Sequence, residues 1–409
     1  MFPFEAALDP LDERQQHVLD FFRITNQLDA LLAAAQVWPV TVVTIQAGPE
    51  RTMVELTPAP DHERTALALS LKLPSSEEQM REFLGRDATS SPLPEETEFT
   101  LAYDGVLGRG DQESGIRWRF AQASQHPAGV RYRFYHEDPG LPPTPGALMY
   151  LMPRGLAGTV AQLKRRQRAI DGMRSHAGLL SAIADPTYER RDTGDTPGSS
   201  DAISALDESK QEAIRGIWGT QPLYTLQGPP GTGKTRLLET MTMRLLERDA
   251  SVQVLVTAHS HEAVRNVLRK LSSRIAETKP TTGPIVIRLD DDDDEDHVRR
   301  TAARLARAVA ESPLTRMAPP HLAERARDTA ADLTLGKPPP RDVRSFEALV
   351  RQAANVVFAT SNSGELARML EDNRRFDWSI IEEAGKAHGF DLALALQASY
   401  RILLIGDQE

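Results

Sequence analysis

The 409-residue chain contains no cysteine, which excludes disulfides and thiolate-bound metal and fits a reducing compartment such as the cytoplasm. Long apolar runs are missing too. The longest, Leu31 to Val43, is broken by Gln36, Pro39 and Thr41 and is too short to span a bilayer. The N-terminus, MFPFEAALDP, has neither a basic segment nor an extended apolar core, so it does not read as a secretory signal. Positive charge is not in excess. Against 58 Asp and Glu stand 48 Lys and Arg, a formal net charge of −10, which argues against a basic nucleic-acid coat but permits a local basic channel. No internal repeat is present. These absences point to a soluble, cytoplasmic chain with no membrane partner, long enough for two or three domains.

What is present changes texture along the chain. Residues 1–37 read as a helical segment, with Leu19, Phe22, Leu28, Leu31 and Leu32 near helical spacing. Residues 38–140 carry six strand-like runs, VTVVTIQ, TMVELTP, TALALSLK, TEFTLAY, IRWRFAQ and VRYRFYH, which predict a small antiparallel barrel or sandwich. In the last two, strand periodicity puts Arg117, Arg119, Arg131 and Arg133 on one face and Trp118, Phe120, Tyr132 and Phe134 on the other. The arginine face reads as a solvated surface or as a contact for backbone phosphates. Residues 141–200 hold a Pro-rich linker and a helix over about 157–183, with Lys164, Arg165, Arg166 and Arg168 near its start. From 201 to 409, apolar β runs alternate with helical patterns, the signature of a parallel α/β sheet. An interruption at 290–351 opens with the acidic run DDDDDED, expected as a solvated loop, and continues as Arg/Ala-rich helix with a GKPPPR turn.

The chemistry begins at GPPGTGKT, the residues Gly228, Pro229, Pro230, Gly231, Thr232, Gly233, Lys234 and Thr235, followed by Arg236. This is a G-x-x-x-x-G-K-[ST] loop between a β run and an amphipathic helix. Wrapping a phosphate with backbone N–H groups requires glycines that tolerate unusual φ/ψ, and the next helix aims its positive end at the same anion. Lys234 is then expected to reach the β- and γ-phosphates of ATP and Thr235 to ligate Mg²⁺. A second apolar strand, DWSIIEEAG, delivers Glu382 and Glu383. Alone, two glutamates would merely end a strand. Beside a phosphate loop, Glu382 is assigned to Mg²⁺ and Glu383 to orienting the attacking water.

Several motifs in order make residues 206–409 resemble the superfamily 1 helicases, and within them the 5′-to-3′ group that includes nonsense-decay and senataxin-like RNA/DNA helicases. LDESKQEAI stands where that family reads adenine, with Lys210 in place of the usual glutamine and Gln211 one step later. VTAHSHEAV and VVFATSNSG stand where the family touches the nucleic-acid backbone, here through Ser260, His261, Thr360 and Ser361. IIEEAGKA corresponds to the Walker B motif, with Glu382 in place of aspartate and Lys386 where glutamine is frequent. LLIGD, ending in Gly406 and Asp407, begins motif III. The resemblance implies a P-loop, RecA-like α/β lobe with a helical insertion, preceded by a small β-barrel accessory domain and a helical stalk. It also implies ATP and Mg²⁺ as cofactors and single-stranded RNA or DNA as partner.

Family members have a second RecA-like lobe that supplies transition-state arginines, and the sequence stops within motif III at Glu409. The expectation is therefore an ATP-dependent helicase or translocase seen as an incomplete motor, weak or inactive alone. Two other readings stay open: a nucleotide-switched protein that grips nucleic acid or a partner without processive hydrolysis, and a P-loop ATPase acting on protein. Ser260 also reads as a helix N-cap, and His259 with His261 lacks a third ligand for a metal.

Overall fold

The computed structural model describes residues 11–48, 51–84, 98–103, 116–127, 129–137, 143–154, 156–185, 187, 190–191, 195–278, 283–289, 292–335, 341–372, 374–387 and 389–407. The chain divides into two compact units, one of residues 24–164 and the other of residues 1–23 with 165–409. That division cuts through helices α1 (Glu13–Ala35) and α4 (Leu156–Met173). It therefore differs from the four-segment reading, in which residues 1–37 stand apart. The helix expected over 157–183 is two helices, α4 and α5 (Ala177–Ala184).

In the smaller unit, strands β1 (Trp38–Ala47), β2 (Thr52–Pro58), β3 (Glu98–Ala102), β4 (Trp118–His126), β5 (Gly129–His136) and β6 (Leu148–Pro153) form a closed barrel in the order β1-β2-β5-β4-β3-β6. Alternate side chains fill it, among them Val40, Leu56, Phe99, Trp118, Tyr132, Phe134 and Leu151. One expected strand is a helix. TALALSLK forms most of α2 (Glu63–Ser70), because Ala and Leu favour helix and the His62 ring caps its first turn by accepting from Arg64 N. Its place in the barrel is taken by LMYLMP, whose Leu and Met content carries no β-branched signal. Helix α3 (Ser76–Leu84) adds Met80 and Leu84 to the barrel core.

Arginines and aromatics on β4 and β5 segregate by face. Trp118, Tyr132 and Phe134 are buried. Glu55 takes Arg133 at 2.6 Å and Arg131 at 3.6 Å, while Glu98 lies 3.7 and 3.8 Å from Arg117 and Arg119. The Arg133 hydrogen bond holds the Glu55 carboxyl below the usual range, against the opposing effect of burial. Each glutamate is thus shared by two arginines, which offsets half of this face's positive charge.

The larger unit is built on six parallel strands: β9 (Leu223–Gln227), β10 (Val254–Ala258), β11 (Val286–Arg288), β12 (Val356–Thr360), β13 (Trp378–Glu382) and β14 (Ile402–Gly406). Their order is β11-β12-β10-β13-β14-β9, so the chain crosses over repeatedly, as buried parallel sheets require. A two-residue ribbon pairs β7 (Arg190–Arg191) with β8 (Thr220–Gln221). Separate apolar clusters cover the sheet's two faces. Into one go α7 (Glu208–Gly219), α8 (Lys234–Arg248) and α9 (His261–Thr278), through residues such as Ile214, Leu238, Met241, Val267 and Leu271. The short α6 (Asp201–Ser204) is capped by Ser200.

The interruption after β11 is helical: α10 (Asp292–Glu311), α11 (Pro313–Met317), α12 (Pro320–Leu335) and α13 (Arg341–Ala353). From Asp292 the acidic run is the start of α10 rather than a loop. The positive end of a helix dipole lies at its N-terminus, so an acidic sequence there is compatible with helix. The first two residues of that run, and all of the GKPPPR turn before Arg341, lie outside the described residues. Helix α14 (Gly364–Glu371) follows β12, and α15 (Ala393–Leu396) precedes β14. Among the described residues no helix is long and apolar enough to cross a membrane.

Candidate nucleotide site and strand-end interface

Parallel strands bring their C-terminal ends to one edge, and the candidate residues gather there. The phosphate loop leaves β9 and enters α8, with Gly228 N donating to Gly406 O at 3.2 Å. Gly231 and Gly233 adopt φ of 82° and 83°, a left-handed conformation that costs an L side chain about 1–2 kcal/mol. A Cβ on Gly233 would also lie 3.0 Å from Lys210 Cε. The Lys210 stem thus lies against the loop, and its ammonium pairs with Asp207, the N-cap of α7. That bond holds the Asp207 carboxyl well below its ordinary range. Gln211 turns away and donates its amide to Leu206 O at 2.8 Å. Of the two adenine-reading candidates, only Lys210 is at the loop.

Lys234 Nζ is held by the carbonyls of Gly228 and Pro229, the latter at 3.0 Å, and by the Asp407 carboxylate. Thr232 Oγ1 closes the loop onto Pro229 O at 2.8 Å. Thr235, one residue along α8, donates its hydroxyl to Glu382 Oε1 at 3.2 Å. The other oxygen of Glu382 is buried with no hydrogen-bond partner. Burial raises the Glu382 carboxyl above the usual range and the Glu383 charge adds to this, opposed by the Thr235 hydrogen bond and by Lys270 and Lys234. Glu383 sits at φ 55°, and Lys386 Nζ donates to its carboxylate at 2.8 Å. Here Gly385 and Gly406 are needed for close approach: a Cβ on either would come within 3.2 Å of the other chain segment's backbone.

Lys234, Thr235, Glu382, Glu383, Lys386 and Asp407 line a cavity of about 220 Å³ together with Asn266. An outer cleft of about 810 Å³ continues from it between α8 and α9, bordered by Arg236 and by Asn266, Arg269, Lys270 and Arg274. Sequence reading missed Asn266 and Lys270. Their i, i+4 spacing opposite the apolar Val264, Val267 and Leu271 face was the available signal, but nothing in it shows that α9 lies beside α8.

The candidates for nucleic-acid contact meet at the ends of β10 and β12, where Ala258 pairs in register with Thr360 on one side and Glu382 on the other. Ser260 Oγ accepts from Ala263 N at 3.2 Å, so its hydroxyl caps α9. His261 is exposed, with Nδ1 3.4 Å from Arg288. Thr360 is half-buried. Ser361 is 1% exposed, its hydroxyl 3.3 Å from Ala258 O, which turns it into the fold rather than toward solvent. Two of the four basic residues on α4 are likewise engaged: Arg166 pairs with Asp391 and Arg168 with Glu371.

A parallel sheet carrying this loop, with an acidic strand end beside its Thr and Lys, has the construction of a P-loop nucleoside triphosphatase. Residues 205–318 match the family described as an AAA domain. The chain is also similar to the DNA polymerase alpha-associated DNA helicase A of Schizosaccharomyces pombe, 27% identical over 217 residues, which cover 49% of this chain and 31% of that relative. The chain thus spans about a third of the relative it matches. With the ordered motifs, both findings support the resemblance to superfamily 1 helicases.

Proposed function

We propose that this chain is an ATP-hydrolysing lobe of a helicase-type motor that acts on single-stranded RNA or DNA. The carrying observation is the meeting of Thr235 with Glu382 beside Lys234. Oxygen donors of this kind, including one buried carboxylate oxygen with no partner, suit Mg²⁺. When bound, Mg²⁺ would neutralise charge on the β- and γ-phosphate oxygens. Gly231 and Gly233 let the loop backbone approach the phosphates, and Lys234 leaves Asp407 to reach the terminal one. Glu383 orients and deprotonates the attacking water, which requires its carboxylate to part from Lys386.

Among the described residues, Arg236, Arg269 and Arg274 border the outer cleft and no arginine lines the inner cavity with Glu382 and Glu383. This supports a motor whose transition-state arginines come from a second lobe, and weak turnover by this lobe alone. The Lys386–Glu383 pair favours a second reading, a nucleotide-switched protein that grips nucleic acid or a partner without processive hydrolysis.

Mg²⁺-dependent binding of a fluorescent ATP analogue tests the first reading. Glu382→Gln is expected to weaken binding about tenfold or more in the presence of Mg²⁺ and little in its absence. Equal weakening with and without Mg²⁺ would remove Glu382 from the metal site.

A further inference from the structure

The outer cleft has a composition unlike the rest of this acidic chain. Five basic residues line it, Lys234, Arg236, Arg269, Lys270 and Arg274, against two acidic ones, Glu239 and Glu277. Three residues, Lys234, Thr235 and Asn266, border both this cleft and the Glu382–Glu383 cavity, so the two spaces join at the start of α8. Asn266, Arg269, Lys270, Ser273 and Arg274 recur at i, i+3 and i+4 along α9, which turns one donor-bearing face to the cleft while Val264, Val267 and Leu271 are buried opposite. Glu239 is half-buried among these cations. Burial raises its carboxyl, opposed by Lys270, Arg274 and Arg236. Lys210, the adenine-side candidate, lies against Gly233 and does not border the cleft. The cleft therefore opens from the cavity where the terminal phosphate would be cleaved. Clefts lined by one sign of charge concentrate counter-ions, and guanidinium and amide donors suit an oxyanion.

We propose that the α8–α9 cleft, whose inner end is the phosphate loop itself through Gly231, Gly233, Lys234 and Thr235, holds a weak binding site for inorganic phosphate farther out, on the Arg269, Lys270 and Arg274 side, through which the phosphate cleaved from the nucleotide leaves. Naming the phosphate as a product rests on the ATPase reading; the oxyanion site itself does not. Asn266 marks the passage between cavity and cleft, and Lys270 is the first cation beyond it. A phosphate in a nucleic-acid backbone offers the same chemistry, and the test separates the two sources.

The experiment is titration of the full chain with inorganic phosphate, followed by ³¹P NMR line broadening, at saturating ADP so that the loop is filled. The wild type should bind phosphate at a second site. Lys270→Glu should weaken it about tenfold or more, equivalent to about 1.4 kcal/mol or more, at ADP concentrations that saturate each variant, while Lys270→Arg keeps the site. Circular dichroism establishes that each variant is folded. No phosphate binding beside ADP, or binding indifferent to Lys270→Glu, overturns the proposal. So does a Lys270→Glu variant that loses affinity for a short oligothymidylate but not for phosphate, since the cleft would then hold a strand. Should ADP itself not bind, the nucleotide reading fails instead. Phosphate binding that Lys270→Glu weakens and Lys270→Arg preserves would then still put the anion on the α9 side of the cleft, and binding indifferent to Lys270→Glu would not.

Discussion

His176 gives the sharpest link between packing and solution behaviour. It is 4% exposed, and its ring stacks on Tyr400 with centroids 4.7 Å apart and planes at 25°. Burial lowers its pKa from 6.5 to about 4, with the Arg375 charge adding to the effect. The folded state therefore holds this ring neutral, while the unfolded chain protonates it near pH 6.5. Its contribution is complete above the unfolded pKa and is lost as pH falls from about 6.5 through the folded value near 4. The interval corresponds to roughly 3–3.5 kcal/mol, of which about 2.5 kcal/mol falls between pH 7.5 and pH 4.5. The perturbation is His176→Phe, which keeps an aromatic ring against Tyr400 and removes the titration. Urea unfolding of both proteins at pH 7.5 and pH 4.5 supplies the assay. Carboxylates titrate in both, so the difference between the two pH dependences isolates the histidine. Wild type should lose about 2.5 kcal/mol more than the variant between these values. Parallel losses would refute the reasoning, since the ring would then be free to protonate in place.

Three further outcomes follow from the geometry. Arg166 and Asp391 form a buried pair, with side chains 12% and 7% exposed, and Asn362 Nδ2 adds a bond to Asp391 at 3.5 Å. Asp391→Ala should cost about 3–5 kcal/mol in chemical denaturation by removing the carboxylate that faces the buried guanidinium, whereas a loss under 1 kcal/mol would show that other contacts of Arg166 suffice. Gly233→Ala forces an L side chain to φ 83° beside Lys210. ATP affinity should fall about tenfold with the melting temperature down only a few degrees, and unchanged affinity would mean that the loop backbone does not hold the phosphates. Lys386→Ala frees the Glu383 carboxylate and should raise single-turnover hydrolysis severalfold; a fall would make Lys386 a participant rather than a restraint.

The strands of the larger unit are legible because most are short apolar runs rich in β-branched residues, such as VQVLVTA or NVVFAT, bounded by polar turns. Barrel strands were harder. Ala66, Leu67, Ala68 and Leu69 alternate with nothing polar until Ser70, so strand and helix patterns coincide and helix propensity decides. Leu148–Pro153 was missed for the opposite reason, since Met149 and Met152 carry no strand signal although the barrel cannot close without them. In the site, Gly228 to Thr235 and Glu382–Glu383 were readable because each lies in one contiguous stretch. The pairing of Lys234 with Asp407, 173 positions apart, and the place of Asn266 and Lys270 depend on the order of the strands. Ser260 and Ser361 show the converse: a motif can be present while its hydroxyls serve a helix cap and a strand end.

The central claim is that Lys234, Thr235, Glu382 and Glu383 form one ATP-hydrolysing site. Its most direct test is ATP binding and turnover by this chain, with and without single-stranded RNA or DNA, beside Lys234→Ala. The account predicts Mg²⁺-dependent binding that Lys234→Ala abolishes, and a low turnover that the same change removes. Binding and turnover unaffected by Lys234→Ala would contradict it.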